Sequence, residues 1–409
     1  MELKHGYKQT EVGVIPKEWD VRPLGEGIGL LSGQHVLAQY CNTEGRGKPY
    51  LTGPADFAHG VIKNTKFTEK PSTLCRQGDI LVTVKGSGAG TIVVANGEYC
   101  ISRQLMAIRP FYWDTGYVYE SLRRDASLFG AAATGLIPGL SRADILGKTL
   151  ASPPLSEQRA IATALSDVDR LLAGLDLLIA KKRDLKQAAM QQLLTGQTRL
   201  PGFHGEWVET ALGDIGECII GLTYKPENVV KHGLLVLRSS NVQNGRIAYD
   251  DNVYVNLEVA EHLYTQVGDL LICVRNGSRA LIGKCAVIDQ SAADLTFGAF
   301  MAIYRTKHWR FVVHAFKGDD IQRQIRDNIG ATINQITNKD MKSFRIKLPP
   351  EAEQTAIAEV LREMDTELAA LEQQREKTRA LKQAMMQELL TGRTRLVSPA
   401  AAASTGTEA

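Results

Sequence analysis

The sequence has 409 residues, enough for two or three domains, with 44% hydrophobic and 23% charged residues, the balance of a soluble globular protein. Its 48 basic and 45 acidic residues give a net charge of only +3. That charge excludes a strongly basic nucleic-acid-binding chain, so any contact with DNA has to come from a local patch. The six cysteines form no CxxC pair, and neither a secretory leader nor a long apolar run is present. We therefore expect a cytoplasmic protein without a zinc knuckle or a membrane span.

The clearest feature of the sequence is a tandem repeat. Residues 153–200 align with residues 349–396 at a constant offset and without a gap, and 27 of the 48 positions are identical. Shorter matches extend the repeat on both sides, whereas stretches 48–76 and 234–266 have little in common. Uniform drift after duplication would not spare the repeated segments alone. The pattern therefore favours one framework that carries two different surfaces.

The repeat divides the chain into five parts. In order, these are a globular part (1–152), a central repeat helix (153–200), a second globular part (201–348), a distal repeat helix (349–396) and a polar tail (397–409). The tail consists mainly of small residues, and we expect it to be disordered. The predicted fold class is α+β. Two mixed α/β domains are separated by two long antiparallel helices that form a coiled coil, with pseudo-two-fold symmetry arising from the repeat.

Within the globular parts, short aliphatic runs predict strands and longer amphipathic runs predict helices. The predicted strands are Asp79–Val84, Thr91–Ala95, Leu105–Arg109, Leu234–Leu237, Leu270–Val274, Ala286–Ile288 and Phe300–Tyr304. The predicted helices are Thr115–Phe129 and Phe311–Asn328.

Each repeated segment predicts one long helix. The first covers residues 156–194, between a Pro-Pro pair and a Thr-Gly pair whose glycine suits a left-handed cap. Apolar residues in both copies step by four and three, which is the spacing of a coiled-coil seam. The seam residues are Ile161, Leu165, Val168, Leu172 and Leu175, and Ile357, Leu361, Met364, Leu368 and Leu371. We expect the two helices to pair with each other, and packing of each helix inside its own domain is the alternative.

Each globular part has a glycine-rich, basic connection after a Gly-Asp-Ile/Leu-Leu sequence, at residues 82–92 and 273–284. Backbone N–H groups, serine hydroxyls and basic side chains make phosphate contacts, and Arg and Asn can also read base edges. The candidate DNA-binding residues here are Lys85, Gly86, Ser87, Arg275, Asn276, Ser278 and Arg279. Either loop alone is typical of an ordinary exposed hairpin. Their equivalent positions in the two halves favour a function.

A second candidate DNA surface is the segment 51–56 with its counterpart 237–242. This pair adds Arg238, Ser239 and Asn241, because Arg and Asn suit guanine and adenine edges. Arg103 is a weaker candidate. A capped turn without any DNA contact explains the same residues equally well.

Catalytic and metal-binding signatures are missing from the sequence. Gly147-Lys148-Thr149 ends like a phosphate-binding loop, but Arg142 stands where that loop requires glycine. His308 and His314 are six residues apart and do not share a helix face as metal ligands would. The sequence has neither a GxSxG motif nor the Asn-Pro-Pro-aromatic motif of DNA methylases. We therefore expect no catalytic residue, bound metal or cofactor in this chain.

Several short motifs, in their order and duplication, resemble the specificity subunit of type I restriction–modification systems. The points of likeness are Val14-Ile15-Pro16-Lys17-Glu18-Trp19, the Gly-Asp-Ile/Leu-Leu sequences, Pro-Pro-x-x-Glu-Gln before each long helix and Leu-Leu-Thr-Gly-x-Thr-Arg-Leu after it. The resemblance covers nearly the whole chain apart from the tail. Each motif is weak alone.

The resemblance implies two target recognition domains, each reading one half of a split DNA site, and a central helix pair that acts as spacer and docking surface. It implies a non-catalytic subunit that docks two adenine-N6 methylation subunits, which bring S-adenosylmethionine, and restriction subunits that use ATP and Mg. A methylation-only complex is a related possibility. An autonomous nuclease or methyltransferase with an unrecognised site, and a coiled-coil adaptor without DNA contact, are alternatives from other classes.

Overall fold

The computed structural model describes residues 5–57, 60–86, 88–125, 139–329 and 334–397. Its contacts divide the chain into two compact units, Met1–Asp176 together with Gln373–Ala409, and Leu177–Glu372. The globular part of the first unit is called the first globe, and that of the second unit the second globe. Candidate residue Ser87 lies outside the described residues, as does the predicted tail from residue 398 onward.

The first globe is built on a four-stranded antiparallel sheet. Its strands, in spatial order, are Ile92–Val94, Ile80–Thr83, Leu105–Pro110 and Ile28–Ser32. A second sheet contains, in spatial order, Cys41–Asn42, Phe67–Thr68, Lys48–Leu51, Tyr99–Ile101 and Leu74–Cys75. Two strand pairs complete the globe, Tyr7–Thr10 with Gly13–Pro16 and Asp20–Pro23 with Thr149–Ser152.

The second globe repeats this construction. Its four-stranded sheet has the same strand order, Cys285–Val287, Leu270–Cys273, Met301–Arg305 and Glu217–Ile220. The other sheet contains, in spatial order, Val229–Val230, Val253–Val255, Leu234–Leu237 and Thr296–Phe297. The remaining strand pairs are Val208–Ala211 with Arg345–Leu348 and Val242–Gln243 with Arg246–Ile247. The strands predicted from the sequence are confirmed to within one or two residues at each end.

The Gly-Asp sequences that mark the repeat have a structural role. Asp79 and Asp269 are almost completely buried, and each carboxylate accepts a bidentate pair of hydrogen bonds from an arginine on a neighbouring strand. The Nε and Nη2 distances are 2.8 and 2.7 Å from Arg109 to Asp79, and 2.8 and 2.7 Å from Arg305 to Asp269. Because paired geometry of this kind compensates for burial of the charges, each sheet is held by the same ion pair.

The short helices are Thr115–Arg124, Arg142–Leu146, Leu212–Ile215, Trp309–Lys317, Asp319–Asn328 and Asn338–Ser343. The prediction of one helix over 311–328 is wrong, because the backbone of Gly318 is extended, with ψ of 159°, and separates two helices. The predicted helix from Thr115 is confirmed as far as Arg124, and its last four predicted residues lie outside the described range.

The two long helices are Leu155–Leu194 and Glu351–Leu389, as the repeat predicts. Each is close to 60 Å long at about 1.5 Å per residue. In the first unit, the beginning of the first helix lies antiparallel to the end of the second, and Lys382 contacts Asp169 with Nζ 2.5 Å from Oδ2. The second unit contains the equivalent pair, Lys186 with Asp365.

The predicted seam residues are divided between the helix pair and the cores of the two globes. Leu175 and Leu368 are buried, and the others toward the middle of each helix are half-buried. Ile161 and Leu165 instead belong to the core of the first globe, which also contains Met386 from the second helix. Ile357 and Leu361 have the same role in the second unit. Both predicted packing modes therefore occur, because each helix begins inside a globular core and also packs against its repeat.

A buried carboxylate joins the ends of the two helices in each unit. Glu157 is completely buried, and its oxygens accept hydrogen bonds from Arg395 at 2.5 and 2.7 Å and from the Trp19 indole at 3.1 Å. The motif residues Pro-Pro-x-x-Glu-Gln, Glu-Trp and Thr-Arg-Leu thus meet in one cluster. In the second unit Glu353 binds Arg199 and Trp207 in the same way.

The two units differ where a short helix packs on the long ones. In the first unit, buried Glu120 accepts a 3.0 Å hydrogen bond from Lys382. Burial raises the pKa of Glu120 despite this partner. In the second unit, His314 lies beside Lys186 and Asp365, and burial lowers its pKa to about 4. The first unit therefore has a buried carboxylate on its short helix where the second unit has a buried histidine.

Candidate nucleic-acid interface

The two glycine-rich loops follow the most buried strand of each four-stranded sheet. In the first globe, the backbone N–H of Val84 donates to the carbonyl of Gln104 at 2.8 Å. In the second, Val274 donates to the carbonyl of Phe300 at 3.0 Å. Gln104 and Phe300 therefore occupy the same place, immediately before the strand whose arginine pairs with the buried aspartate. Lys85 and Arg275, the first basic residues of the loops, are both exposed.

The second pair of predicted segments forms short 3-10 turns, Pro54–Asp56 and Ser239–Asn241. In the first globe, the Asp56 carboxylate accepts hydrogen bonds from the backbone of Thr52 at 2.6 Å and of Gly53 at 3.2 Å. In the second globe, Asn241 Oδ1 accepts from the backbone of Arg238 at 2.9 Å. One side chain in each turn thus fixes the backbone that precedes it.

Loops and turns converge in both globes. In the first globe, a Cβ atom on Gly53 would lie 2.4 Å from Gln104 Oε1, and one on Gly88 would lie 2.5 Å from Pro54. The loop, the turn and Gln104 therefore meet at one place. In the second globe, Asn276 Nδ2 donates to Ser239 Oγ at 3.2 Å and joins the corresponding segments.

A cleft in each globe is lined by residues at or just before the turn and by Gln104 or Phe300. The cleft of the first globe has a volume of about 330 Å³, and its lining includes His35, Thr52, Lys66, Arg103 and Gln104 beside apolar side chains. The cleft of the second globe is larger, about 760 Å³, and its lining includes Tyr224, Arg238, Ser239, Ser240, Asp251 and Phe300. The two clefts therefore occupy equivalent positions but present different chemistry.

Arg275 and Phe300 form a distinct contact at the edge of the second cleft. The guanidinium carbon of Arg275 lies 5.1 Å from the centroid of the Phe300 ring, within cation–π range. Phe300 is 56% exposed although it is a large apolar residue. Arg238, also in this cleft, is paired with Asp251 at 2.8 Å.

Several predicted DNA-binding residues have other partners. Asn241 is fully buried, and its Nδ2 donates to the carbonyls of Ala248 and Asp251. This contradicts its prediction as a DNA-contacting residue, since its amide holds the turn. The side chain of Asn276 joins the loop to the turn, and Arg279 Nη2 donates to the carbonyl of Ile329 at 3.1 Å. Both of these still have exposed surface, and Ser278 is exposed beside them.

The sequence reasoning missed several residues of the clefts. His35, Lys66, Tyr224 and Phe300 were not identified, because each comes to its cleft from a segment distant in sequence. The position of Phe300 could have been found by aligning the strands that contain Arg109 and Arg305, five residues after Gln104 and Phe300 respectively.

Within the described residues, no group of three or more His, Cys, Asp or Glu side chains is placed to bind a metal ion. No described helix combines the length and apolar character needed to cross a membrane.

Comparison with known proteins identifies the family. The family model described as type I restriction modification DNA specificity domain matches residues 16–179 and again residues 204–379. The type I restriction enzyme MjaVIII specificity subunit of Methanocaldococcus jannaschii is 23% identical over 414 aligned positions, which cover 96% of this chain and 97% of that protein.

Two other relatives match over about half their length. The putative MjaX specificity subunit of the same organism is 28% identical, over 47% of each chain. The EcoKI specificity subunit of Escherichia coli K12 is 29% identical, over 46% of this chain and 43% of that protein.

Two solved structures share the fold. A type I S subunit from M. genitalium superimposes with a TM-score of 0.61 at 18% identity, covering 95% of this chain and 98% of that one. A chain from a study of complex assembly and conformational transition in the type I restriction–modification system gives a TM-score of 0.57, also at 18% identity, covering 93% and 99%. With both globes and both long helices matched, this chain belongs to the type I restriction–modification DNA specificity family.

Proposed function

We propose that this chain is the non-catalytic DNA-recognition subunit of a type I restriction–modification complex, and that each globe reads one half of a bipartite target. The observation that carries the proposal is the pair of equivalent clefts. Both are lined by the segment that follows the edge strand of the central sheet, by residues at or just before the 3-10 turn and by the residues before the strand that carries Arg109 or Arg305, yet their side chains differ. A framework that is duplicated while its binding surfaces diverge is suited to reading two different short sequences.

The lining of each cleft has the chemistry for DNA. Lys66, Lys85 and Arg103 provide positive charge for phosphates around the first cleft, and Gln104 offers an amide that pairs with adenine. The second cleft combines Arg275 with an exposed aromatic ring. Because hydrogen-bonding and apolar groups select different bases, the two halves of the target differ in sequence.

The long helices provide a surface for partner subunits. Leu171, Leu178 and Leu185 recur every seven residues on the first long helix and are 50%, 40% and 47% exposed. A regular apolar stripe of this kind needs a partner helix. The partners are two adenine-N6 methylation subunits, which bring S-adenosylmethionine, and restriction subunits that use ATP and Mg. The assembled complex then works in the cytoplasm on double-stranded DNA.

The test is the pattern of adenine methylation in cells that express this chain with its methylation subunits. The expected result is a bipartite motif, and exchange of residues 201–348 for those of a relative changes one half of it only. Unchanged halves, or a change in both, would contradict independent reading by two globes. The chain without its partners is the control, and adenine methylation by that preparation would overturn the non-catalytic assignment.

A further inference from the structure

The side chains at the edge of the second cleft allow a more specific statement about what that globe reads. It rests on the proposed function, because it assumes that this cleft faces a DNA half-site. Phe300 is a large aromatic residue, yet more than half of its surface is exposed, and it lines the second cleft. An exposed aromatic ring at this place has no role in the core and is free to contact a ligand.

The position of Phe300 is fixed by the backbone. Its carbonyl accepts hydrogen bonds from the N–H groups of Val274 at 3.0 Å and Arg275 at 3.1 Å. Its neighbour along the chain, Met301, is completely buried in the central sheet. The ring is therefore presented by a rigid strand end, which is the arrangement that precise recognition requires.

Arg275 is positioned by the same contacts. It pairs with Gln335 in an isolated β-bridge, and its guanidinium lies over the Phe300 ring at 5.1 Å from the centroid. In the part of the chain that the structure describes, Arg275 makes no salt bridge, in contrast to Arg238 in the same cleft. The donors of Arg275 thus remain available while the stacked ring limits its rotation.

Arginine and phenylalanine select different bases in the major groove. A guanidinium fits the O6 and N7 acceptors of guanine, and an apolar ring contacts the 5-methyl group of thymine. The two groups lie side by side, with the guanidinium carbon 5.1 Å from the ring centroid, so both can reach the edges of neighbouring base pairs, which rise by about 3.4 Å each. We infer that Arg275 and Phe300 form a single reading unit for a guanine and an adjacent thymine in the half-site of the second globe.

The first globe has a different pair at the same place, Lys85 and Gln104. Its amide is suited to adenine, and it has no apolar surface for a thymine methyl group. The first globe therefore serves as an internal control. Removal of a thymine methyl group should weaken binding through this contact only in the second half-site.

The experiment removes single groups from the DNA. The assembled methylation complex is bound to its own target, in which each thymine of the second half-site is replaced in turn by deoxyuridine. The expected result is a loss of about fourfold in affinity at one thymine, equivalent to one buried methyl group. Replacement of the neighbouring guanine by 7-deazaguanine, which lacks the N7 acceptor, should lower the affinity of the wild-type complex. The same replacement should have little effect on the affinity of the Arg275→Ala complex.

Two variants complete the test. Phe300→Ala should bind thymine and uracil targets equally, whereas Phe300→Leu, which keeps an apolar side chain, should retain most of the difference. Gln104→Ala should alter recognition of the other half-site and leave the thymine effect unchanged. Because Phe300 is largely exposed, the thermal stability of its variants should equal that of the wild type.

The outcomes separate this inference from the proposed function. A complex that binds a bipartite target with no sensitivity to any thymine methyl group in the second half-site overturns the reading unit alone. Equal sensitivity in Phe300→Ala and the wild type also overturns it. A complex that shows no bipartite target refutes the proposed function itself.

Discussion

Replacement of Arg395 by methionine tests the cluster that joins the end of the second long helix to the beginning of the first. Arg395 makes two hydrogen bonds to Glu157, which is completely buried, and also contacts Glu18. Its guanidinium lies 5.5 Å from the centroid of the Trp19 ring. Methionine preserves most of the apolar length of the side chain but leaves the Glu157 carboxylate without a positive partner.

The magnitude follows from the burial of Glu157. Removing one partner of a buried ion pair costs about 3–5 kcal/mol, because an uncompensated charge stays in the interior. The first unit comprises about 210 residues. A domain of this size loses roughly 2–4 °C in midpoint per kcal/mol, so its thermal transition should fall by about 6–20 °C.

Differential scanning calorimetry of the full chain is the appropriate assay, because two units allow two transitions. Arg199→Met is the matched variant, since Arg199 pairs with Glu353 in the second unit, and it should lower the other transition. Arg393→Met is the neutral control, because its contact with Glu388 is exposed and 3.8 Å long. Such exposed pairs contribute about 0–1 kcal/mol.

A second substitution distinguishes the charge from the packing. In the Arg395→Met background, Glu157→Gln removes the buried charge and keeps an acceptor for the Trp19 indole, so part of the lost stability should return. Equal midpoints for Arg395→Met and Arg393→Met would refute the reasoning, as would a further loss on adding Glu157→Gln.

Three further predictions follow from other parts of the molecule. Lys85→Ala should weaken DNA binding by the assembled complex and flatten its salt dependence by about one unit of slope; an unchanged slope would show that Lys85 makes no phosphate contact. Asn241→Ala should lower the free energy of unfolding by about 1–3 kcal/mol in a denaturant titration while leaving the methylated motif intact, and a changed motif would restore Asn241 as a base-reading residue. Burial lowers the pKa of His314 to about 4. Between pH 6.5 and 4 the unfolded chain therefore binds a proton that the folded chain does not. The free energy of unfolding falls as the pH falls through this window. His314→Leu should remove this contribution, up to about 1.4 kcal/mol per pKa unit, and unfolding curves with the same pH slope for variant and wild type would contradict it.

Local patterns in the sequence predicted most of the secondary structure of the framework. The two long helices and three of the four strands of each central sheet follow from apolar spacing and turn residues, which act over a few residues, whereas the edge strands Ile28–Ser32 and Glu217–Ile220 were not predicted. The helix predicted across Gly318 failed because a periodic apolar pattern continues through an extended glycine that only the backbone reveals. The repeat then indicated that the framework of the first unit occurs again in the second unit.

The candidate interface depended on contacts between distant segments, and there the sequence was less informative. Asn241 has the right chemistry for reading adenine, but its amide is hydrogen-bonded to four groups of the surrounding chain, which belong to Arg238, Ala248, Asp251 and Asn252. Phe300 is the opposite case. Its residue type predicts burial, but its position at the end of a strand leaves it exposed. Whether a polar side chain serves the fold or the ligand was decided by tertiary packing.

The cluster around Glu157 also has a consequence for synthesis on the ribosome. The second unit is one continuous stretch, Leu177–Glu372, whereas the first is completed only by residues from Gln373 onward. At about 5–20 residues per second, roughly 11–44 s separate the synthesis of Asp176 from that of Arg395. During this interval Glu157, Ile161 and Leu165 lack the partners that the end of the second long helix and Arg395 later provide. A nascent chain therefore finishes its second unit before its first, and a chain released just short of Arg395 carries a complete second unit beside an unclosed first one.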